Sequence, residues 1–214
     1  IILGDTLLDE FSDDEIETFL RWSKLPYRRM GDVAAEAAEL LAEDKIIGWF
    51  HGRLEFGPRA LGARSILASP IHAAMQERLN EIKDREDFRP VAPVVLEEHA
   101  AEWFVGGEAS PFMLFVYDVQ PDKAGRIPAV RHVDGTARIQ TINRSQHALY
   151  YDLIRAFYEK TGVPVTVTCR TCSRAAAQGN PINAASTRHD SHRFARPGIV
   201  CDACDRPSAA FDRP

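Results

Sequence analysis

The chain has 214 residues, 45% of them hydrophobic, and carries a formal net charge of −5 at pH 7. That length supports one domain with a substantial core, and the acidic balance excludes a general binder of nucleic acid or of membrane surfaces. No apolar run reaches the length of a membrane span and no charged-apolar-small segment opens the chain as an export signal, so a cytoplasmic protein is expected.

The first residues, Ile1-Ile2-Leu3-Gly4, lack an initiator methionine and read as a cut into a longer protein. Ser12-Asp13-Asp14-Glu15 is a capping-box pattern, in which hydroxyl and carboxylate each satisfy a backbone N–H of the other residue. It predicts a helix to about Trp22. Asp32 caps a second helix, whose Val33, Ala37, Leu40 and Leu41 form an inner stripe. Residues 46–50 are an apolar run and predict a buried strand. Residues 73–82 follow as a helix, with Met75, Leu79 and Ile82 at helical spacing. Pro90 and Pro93 then force an extended path into a strand at 94–96, since neither ring fits a helix interior. A short helix at 97–104 and an apolar strand at 112–116 are expected next. Two apolar stretches flank Asp134-Gly135 and predict a hairpin. A helix at 146–161 turns Leu149, Leu153, Ala156 and Phe157 inward and is stopped by Gly162, before a β-branched strand at 163–167. Helices and strands thus alternate through the body of the chain. Trp22, Trp49, Trp103 and Tyr150 are expected in the core or at its rim.

Three segments carry the chemistry. The first runs Trp49-Phe50-His51-Gly52-Arg53-Leu54-Glu55-Phe56-Gly57-Pro58-Arg59-Ala60-Leu61-Gly62-Ala63-Arg64-Ser65-Ile66-Leu67. Its glycines let backbone approach a ligand closely, and the planar fork of Arg matches phosphate or carboxylate oxygens. Three guanidinium groups so close repel one another unless an anion or carboxylates compensate. Such a loop can be a mere structural turn, but a second cationic cluster follows in Lys83-Asp84-Arg85-Glu86-Asp87-Phe88-Arg89-Pro90. Held between a helix end, two prolines and a strand, that cluster can keep its charges in place. The third segment, Arg131-His132-Val133-Asp134-Gly135-Thr136-Ala137-Arg138, places His132, Asp134, Thr136 and Arg138 on one side if strand alternation persists through the turn.

Glu55-Phe56-Gly57-Pro58-Arg59-Ala60-Leu61-Gly62 with Arg64-Ser65-Ile66-Leu67 resembles the C-terminal domain of the O-carbamoyltransferase family, which includes nodulation-factor and antibiotic carbamoyltransferases. The likeness continues through Arg85-Glu86-Asp87-Phe88-Arg89-Pro90-Val91-Ala92-Pro93, Ser110-Pro111-Phe112-Met113, His132-Val133-Asp134-Gly135-Thr136-Ala137-Arg138 and Thr161-Gly162-Val163-Pro164-Val165. It implies an α/β (α+β) domain, also seen in threonylcarbamoyl-adenylate synthases, with a twisted mixed sheet and flanking helices around a cationic cavity. It further implies that the domain binds ATP, with Mg, and carbamoyl phosphate, and forms carbamoyl-adenylate. A separate N-terminal domain holding an iron-type metal would pass the carbamoyl group to an acceptor hydroxyl. On this resemblance Lys83 and Arg138 are the candidate catalytic residues, and Arg59 joins them at the carbamoyl phosphate. Arg64, Ser65, Arg85, Arg89, His132 and Asp134 are candidate substrate-binding residues. A threonylcarbamoyl-adenylate synthase is a further reading of the same fold. The organisation expected is a lead-in at 1–29 from a missing N-terminal domain, the family domain at 30–168, and a divergent tail at 169–214.

The tail departs from the family, which continues with Asn-Thr-Ser-Phe-Asn where this chain has Thr168-Cys169-Arg170-Thr171-Cys172. No Glu or Lys occurs after Lys160, and all four cysteines lie in this tail. A frame slip near residue 166 accounts for it, with Gly179-Asn180-Pro181-Ile182 resembling the family's Gly-Glu-Pro-Ile. The alternative takes Cys169, Cys172, Cys201 and Cys204 as two thiolate pairs of a structural zinc site, with His189 or His192 as substitute ligands, in a zinc-binding interaction or nucleic-acid module. The first pair lacks the Gly or Pro that usually turns such a knuckle. With Thr168 and Arg170 in place of Asn and Ser, and no acceptor-binding domain, the chain alone is expected to be catalytically silent. Sequencing the gene across codon 166 tests the slip: Asn-Thr-Ser-Phe-Asn should appear in another frame, and its absence from every frame refutes the idea.

Overall fold

The computed structural model of the chain describes residues 11–24, 26–53, 55, 58–170 and 199–201. In chain order the elements are α1 (Asp13–Ser23), β1 (Tyr27–Arg29), α2 (Val33–Ala42), β2 (Ile47–Phe50), β3 (Arg64–Ala68), α3 (Ala74–Ile82), β4 (Ala92–Leu96), α4 (Ala100–Trp103), β5 (Val116–Asp118), β6 (Thr136–Arg138), β7 (Gln140–Ile142), α5 (Ala148–Thr161), β8 (Val165–Arg170) and β9 (Ile199–Cys201). The helix starts follow their caps. Ser12 N–H donates to the Glu15 carboxylate at 2.8 Å while Glu15 N–H returns to the Ser12 hydroxyl at 3.3 Å. Asp32 accepts the Ala35 N–H at 3.0 Å. Gly162 ends α5 in the left-handed region at φ 69°, where a side chain would be strained.

A five-stranded mixed sheet, in the order β2-β3-β8-β4-β7, forms the centre; all its ladders are antiparallel except that between β4 and β7. Every residue of β4 and the first four of β8 are buried, as expected for strands covered on both faces. Helices α2 and α5 pack on each other. Ala37, Ala38 and Leu41 from α2 enter one core with Leu153, Ile154 and Phe157 from α5 and with Leu67, Val94, Val165 and Val167 from the sheet. Trp49, Trp103 and Tyr150 lie in that core, whereas Trp22 is exposed. Two small ladders stand apart, β5 with β6 and β1 with β9.

Three expected elements differ. Strand β4 begins at Ala92 and takes Pro93 into the ladder with β8; the β7 ladder starts only at Val94, so the N–H that Pro93 lacks is not required there. The strand expected at 112–116 is displaced to β5, because Met113 sits at φ 54° and bends the chain out of extended geometry. Asp134-Gly135 does make a tight turn, closed by Gly135 N–H to the His132 carbonyl at 3.0 Å, but no hairpin. The preceding residues Pro128–Val130 form a 3-10 turn that buries Ala129 and Val130, and β6 pairs with β5 instead. Strand β8 continues through Arg170, two residues beyond the domain boundary drawn from the sequence. Phe56, Gly57, Cys172, Cys204, His189 and His192 lie outside the described residues.

Tyr150 on α5 packs its fully buried ring against the loop between β2 and β3. A Cβ added to Gly62 would stand 2.5 Å from the Tyr150 ring, and Gly62 has φ +120°. Gly62→Ala should therefore lose about 1–3 kcal/mol of stability, the usual scale for overpacking. Gly31→Ala, where the added methyl meets open space, should stay within about 0.5 kcal/mol. Urea unfolding of both variants checks this, and equal midpoints would contradict it.

Candidate functional site

The register of the sheet brings four chain segments to one of its ends. Arg170, at the C-terminus of β8, pairs with Ser65 at the start of β3, while Phe50 at the end of β2 pairs with Arg64. On the other side Ala92, opening β4, pairs with Thr168, and Gln140, opening β7, pairs with Val94. The β2–β3 loop with Arg59 and Arg64, the α3–β4 connection with Lys83, Arg85 and Arg89, the β6–β7 junction with Arg138, and Arg170 itself therefore meet there. The candidate cations named from the sequence all belong to these segments. Arg170 adds one.

The β2–β3 loop is shaped around a buried carboxylate. His51 N–H donates to the Ala63 carbonyl at 3.0 Å and closes the loop base. Inside it Glu55, 7% exposed, accepts the Leu61 and Ala63 N–H groups on one oxygen at 2.8 and 2.9 Å. Its other oxygen stands 3.8 Å from Arg64 Nε. Burial pushes the Glu55 carboxyl above its ordinary range, against the pull of those amides and of Arg64. Arg64 is lowered by burial first and by Arg170 second, with Glu55 opposing. The Gln140 side chain donates to the Leu61 carbonyl at 2.8 Å, tying the loop to β7. Ser65 is buried within the sheet, where its hydroxyl accepts from Thr168 at 3.2 Å.

A pair of histidines fastens the same loop to α5. His51 Nδ1 and His147 Nδ1 are 3.1 Å apart, with ring centroids at 4.6 Å, so one ring donates and the other accepts. Burial, with the second ring beside it, drives His147 down to about 4. His147 is therefore neutral in this contact near pH 7.

The α3–β4 connection is organised by two amides on α3. The buried Asn80 side chain donates to the Asp87 and Arg89 carbonyls at 2.8 and 2.9 Å and accepts from Arg85 Nε. Gln76, one turn earlier, donates to the same carbonyls at 3.2 Å each. Lys83 donates its ammonium to the Arg170 carbonyl. Arg89 pairs with Glu86 at 2.7 Å on the surface.

Arg138 and Arg59 lie close to each other. Burial lowers Arg138 first and Arg59 adds to it. Arg138 Nε is buried without a protein hydrogen-bond partner, as is Gln140 Oε1 two residues on, so a donor and an acceptor remain for a ligand or water. His132 is held below its ordinary range by burial, with Arg138 acting the same way and Asp134 opposing; its Nδ1 contacts the Thr136 hydroxyl at 2.9 Å. Asp134 accepts the Thr136 N–H and hydroxyl at 3.0 and 2.7 Å, so its carboxylate shapes the turn before β6. Glu55, Asn80, Gln140 and Arg170 were absent from the sequence-derived candidates. Two of them had a signal: Glu55 as the acid in an arginine-rich loop, and Arg170 as a cation where the resemblance expects a small hydroxyl.

Among the described residues no group of three or more His, Cys, Asp or Glu side chains could hold a metal ion, and no helix is long and apolar enough to cross a membrane. Cys169 lies near Lys83 and Arg85, which pull its thiol down against the larger, upward effect of burial.

Residues 38–186 match the family model described as the carbamoyltransferase C-terminus, a span that runs past Val165 and includes Gly179-Asn180-Pro181-Ile182. Nodulation protein NolNO of Sinorhizobium fredii is 48% identical over 160 residues, covering 72% of this chain and 24% of that protein. Nodulation protein NolO of Bradyrhizobium diazoefficiens is 47% identical over 149 residues, 67% of this chain and 27% of that protein. The chain thus spans about a quarter of the length of these relatives. The crystal structure of T. kodakarensis HypF aligns at a TM-score of 0.45 and 15% identity, over 68% of this chain and 18% of that one.

Glu55 offers a separable test of the loop. Glu55→Gln keeps an oxygen for the two amides and removes the charge, whereas Glu55→Ala leaves both N–H groups without that acceptor, at about 1–3 kcal/mol each. Because burial raises the folded-state pKa, the wild type gains from the protonated form below the ordinary value of 4.5 and loses that gain as pH rises above it. Glu55→Gln should therefore gain on the wild type in urea-unfolding stability as pH rises from 4 to 7. Parallel stability curves would show that the carboxyl is not raised.

Proposed function

The chain belongs to the carbamoyltransferase C-terminal family, and from that membership we propose that its cationic sheet end binds carbamoyl phosphate and ATP and forms carbamoyl-adenylate. The observation that carries this reading is the delivery of Arg59, Arg64, Lys83, Arg85, Arg138 and Arg170 by four separate segments to one end of the sheet. Two polyanions cannot share a cavity in water-like isolation from counter-charge; fixed guanidinium and ammonium groups neutralise them without reorganising. In the reaction carbamoyl phosphate is cleaved by water to carbamate and phosphate. A carbamate oxygen then attacks the α-phosphorus of ATP, and the bond to pyrophosphate breaks. Lys83, Arg138 and Arg59 are assigned to the carbamoyl phosphate, with Arg85 beside Lys83 at the same ligand, and Arg64 and Arg89 are assigned to the nucleotide phosphates.

Magnesium is assigned to those phosphates, which are its usual ligands in nucleotide sites. The acceptor step, with its iron-type metal, is assigned to the further part that the relatives carry. The chain alone should accordingly leave an acceptor hydroxyl unmodified, and Arg170, a cation where the family resemblance expects a small hydroxyl, should slow adenylate formation as well.

Arg138→Ala should weaken carbamoyl phosphate binding by about 1.5–3 kcal/mol, the scale of a charge-assisted hydrogen bond, in calorimetric titrations of the folded chain. Pyrophosphate release from ATP with carbamoyl phosphate should be slow, and faster in Arg170→Ser. No binding by the wild type, or equal binding by Arg138→Ala, would overturn the assignment.

A further inference from the structure

We infer that Asn80, a residue of α3 outside the cationic segments, is the positioning residue that sets Arg85 in the site. The inference rests on the proposed anion-binding role of the sheet end and adds to it the origin of one cation's placement.

Asn80 is fully buried on a helix whose other inward residues, Met75 and Leu79, are apolar. A buried carboxamide is costly unless its donors and its acceptor are all used. Here they are. Its two donors go to the Asp87 and Arg89 carbonyls at 2.8 and 2.9 Å, its oxygen takes Arg85 Nε, and its own backbone carbonyl takes the Arg85 N–H at 3.1 Å. Both ends of the turn are thus fixed by one residue. Asp84 enters the turn at φ 48°, which reverses the chain off the helix end and lets Arg85 fold back over the last turn of α3. Lys83, two residues before, reaches the Arg170 carbonyl at the end of β8, so the turn is anchored against the sheet end as well. The proximity of Arg85 and Lys83 to Cys169 places Arg85 at that end of β8. Only an amide serves here. A carboxylate could hold Arg85 Nε but has no N–H for the two carbonyls, and an apolar side chain could do neither. Gln76 repeats the carbonyl contacts from the surface but does not touch Arg85 in them.

A double-mutant cycle separates positioning from general support. Carbamoyl phosphate affinity is measured by calorimetry for the wild type, Asn80→Ala, Arg85→Ala and the double variant, with folding of each followed by circular dichroism. Arg85→Ala should weaken binding by about tenfold or more, as loss of a charge-assisted contact does. Asn80→Ala should weaken it several-fold alone and change nothing further once Arg85 is gone. Asn80→Asp, which keeps the acceptor for Arg85, should restore part of the loss, and Asn80→Leu, of similar shape but with no acceptor, takes the place of Asn80→Ala in the cycle if that variant does not fold. Equal losses from Asn80→Ala in both backgrounds would reduce Asn80 to a structural residue and overturn the inference. Unchanged binding in Arg85→Ala, with Arg138→Ala still weakened, would overturn the inference and leave the proposed function standing. A wild-type chain that does not bind carbamoyl phosphate would overturn both.

Discussion

Cations gathered in a small volume repel one another, and the fold has to hold them by means other than mutual attraction. Two unit charges at 4 Å repel by about 4 kcal/mol at the effective dielectric of a protein surface. Six such groups would disperse if their loops were free to move. Each loop is instead pinned through its backbone by a buried polar side chain that carries no positive charge. Glu55 holds the Leu61 and Ala63 amides and stands 3.8 Å from Arg64. Asn80 holds the carbonyls at 87 and 89. Gln140 holds the Leu61 carbonyl. The loops carrying the charges are thus held by backbone hydrogen bonds that do not depend on the cations, while Asn80 also takes Arg85 Nε and Glu55 alone among the three compensates charge.

The loop wall shows the same division of labour. Gly62 admits the Tyr150 ring where no side chain would fit, and the His51–His147 contact fastens the loop base to the start of α5. A neutral His147 suits this place, because a charged ring there would add to the positive field it supports. The low value of His147 keeps it neutral throughout the neutral range.

Much of the frame was legible in the sequence because its signals are local. Ser12, Asp32 and Gly162 act within one turn of themselves, and the arginine-rich loop announced itself by composition. Asn80 was not legible, since a lone amide on a helix says nothing until the turn at 84–89 is folded back over it. Arg170 belongs by sequence to the divergent tail, at a position where the resemblance expects a small hydroxyl, and the register of β8 with β3 brings it beside Ser65 and next to Arg64. The displaced strand at β5 was hidden for another reason: the apolar residues at 112–116 fit a strand, but a single left-handed residue at Met113 is a tertiary outcome that no periodicity reports. The hairpin failed on its partner, not on its turn.

The central position of β8 bears on how the molecule is made. β2 with β3, and β4 with β7, are two separate ladders that share no hydrogen bond, and β8 is the strand that joins them. It is also the last of the five to leave the ribosome. Without β8 the folded sheet would divide into two half-sheets, each with an open inner edge able to pair with another chain. Five of the six cations are divided between these halves, Arg59 and Arg64 on one and Lys83, Arg85 and Arg138 on the other, and Arg170 comes with β8 itself. The placement of this single strand therefore closes both inner edges and joins the cationic segments at one sheet end.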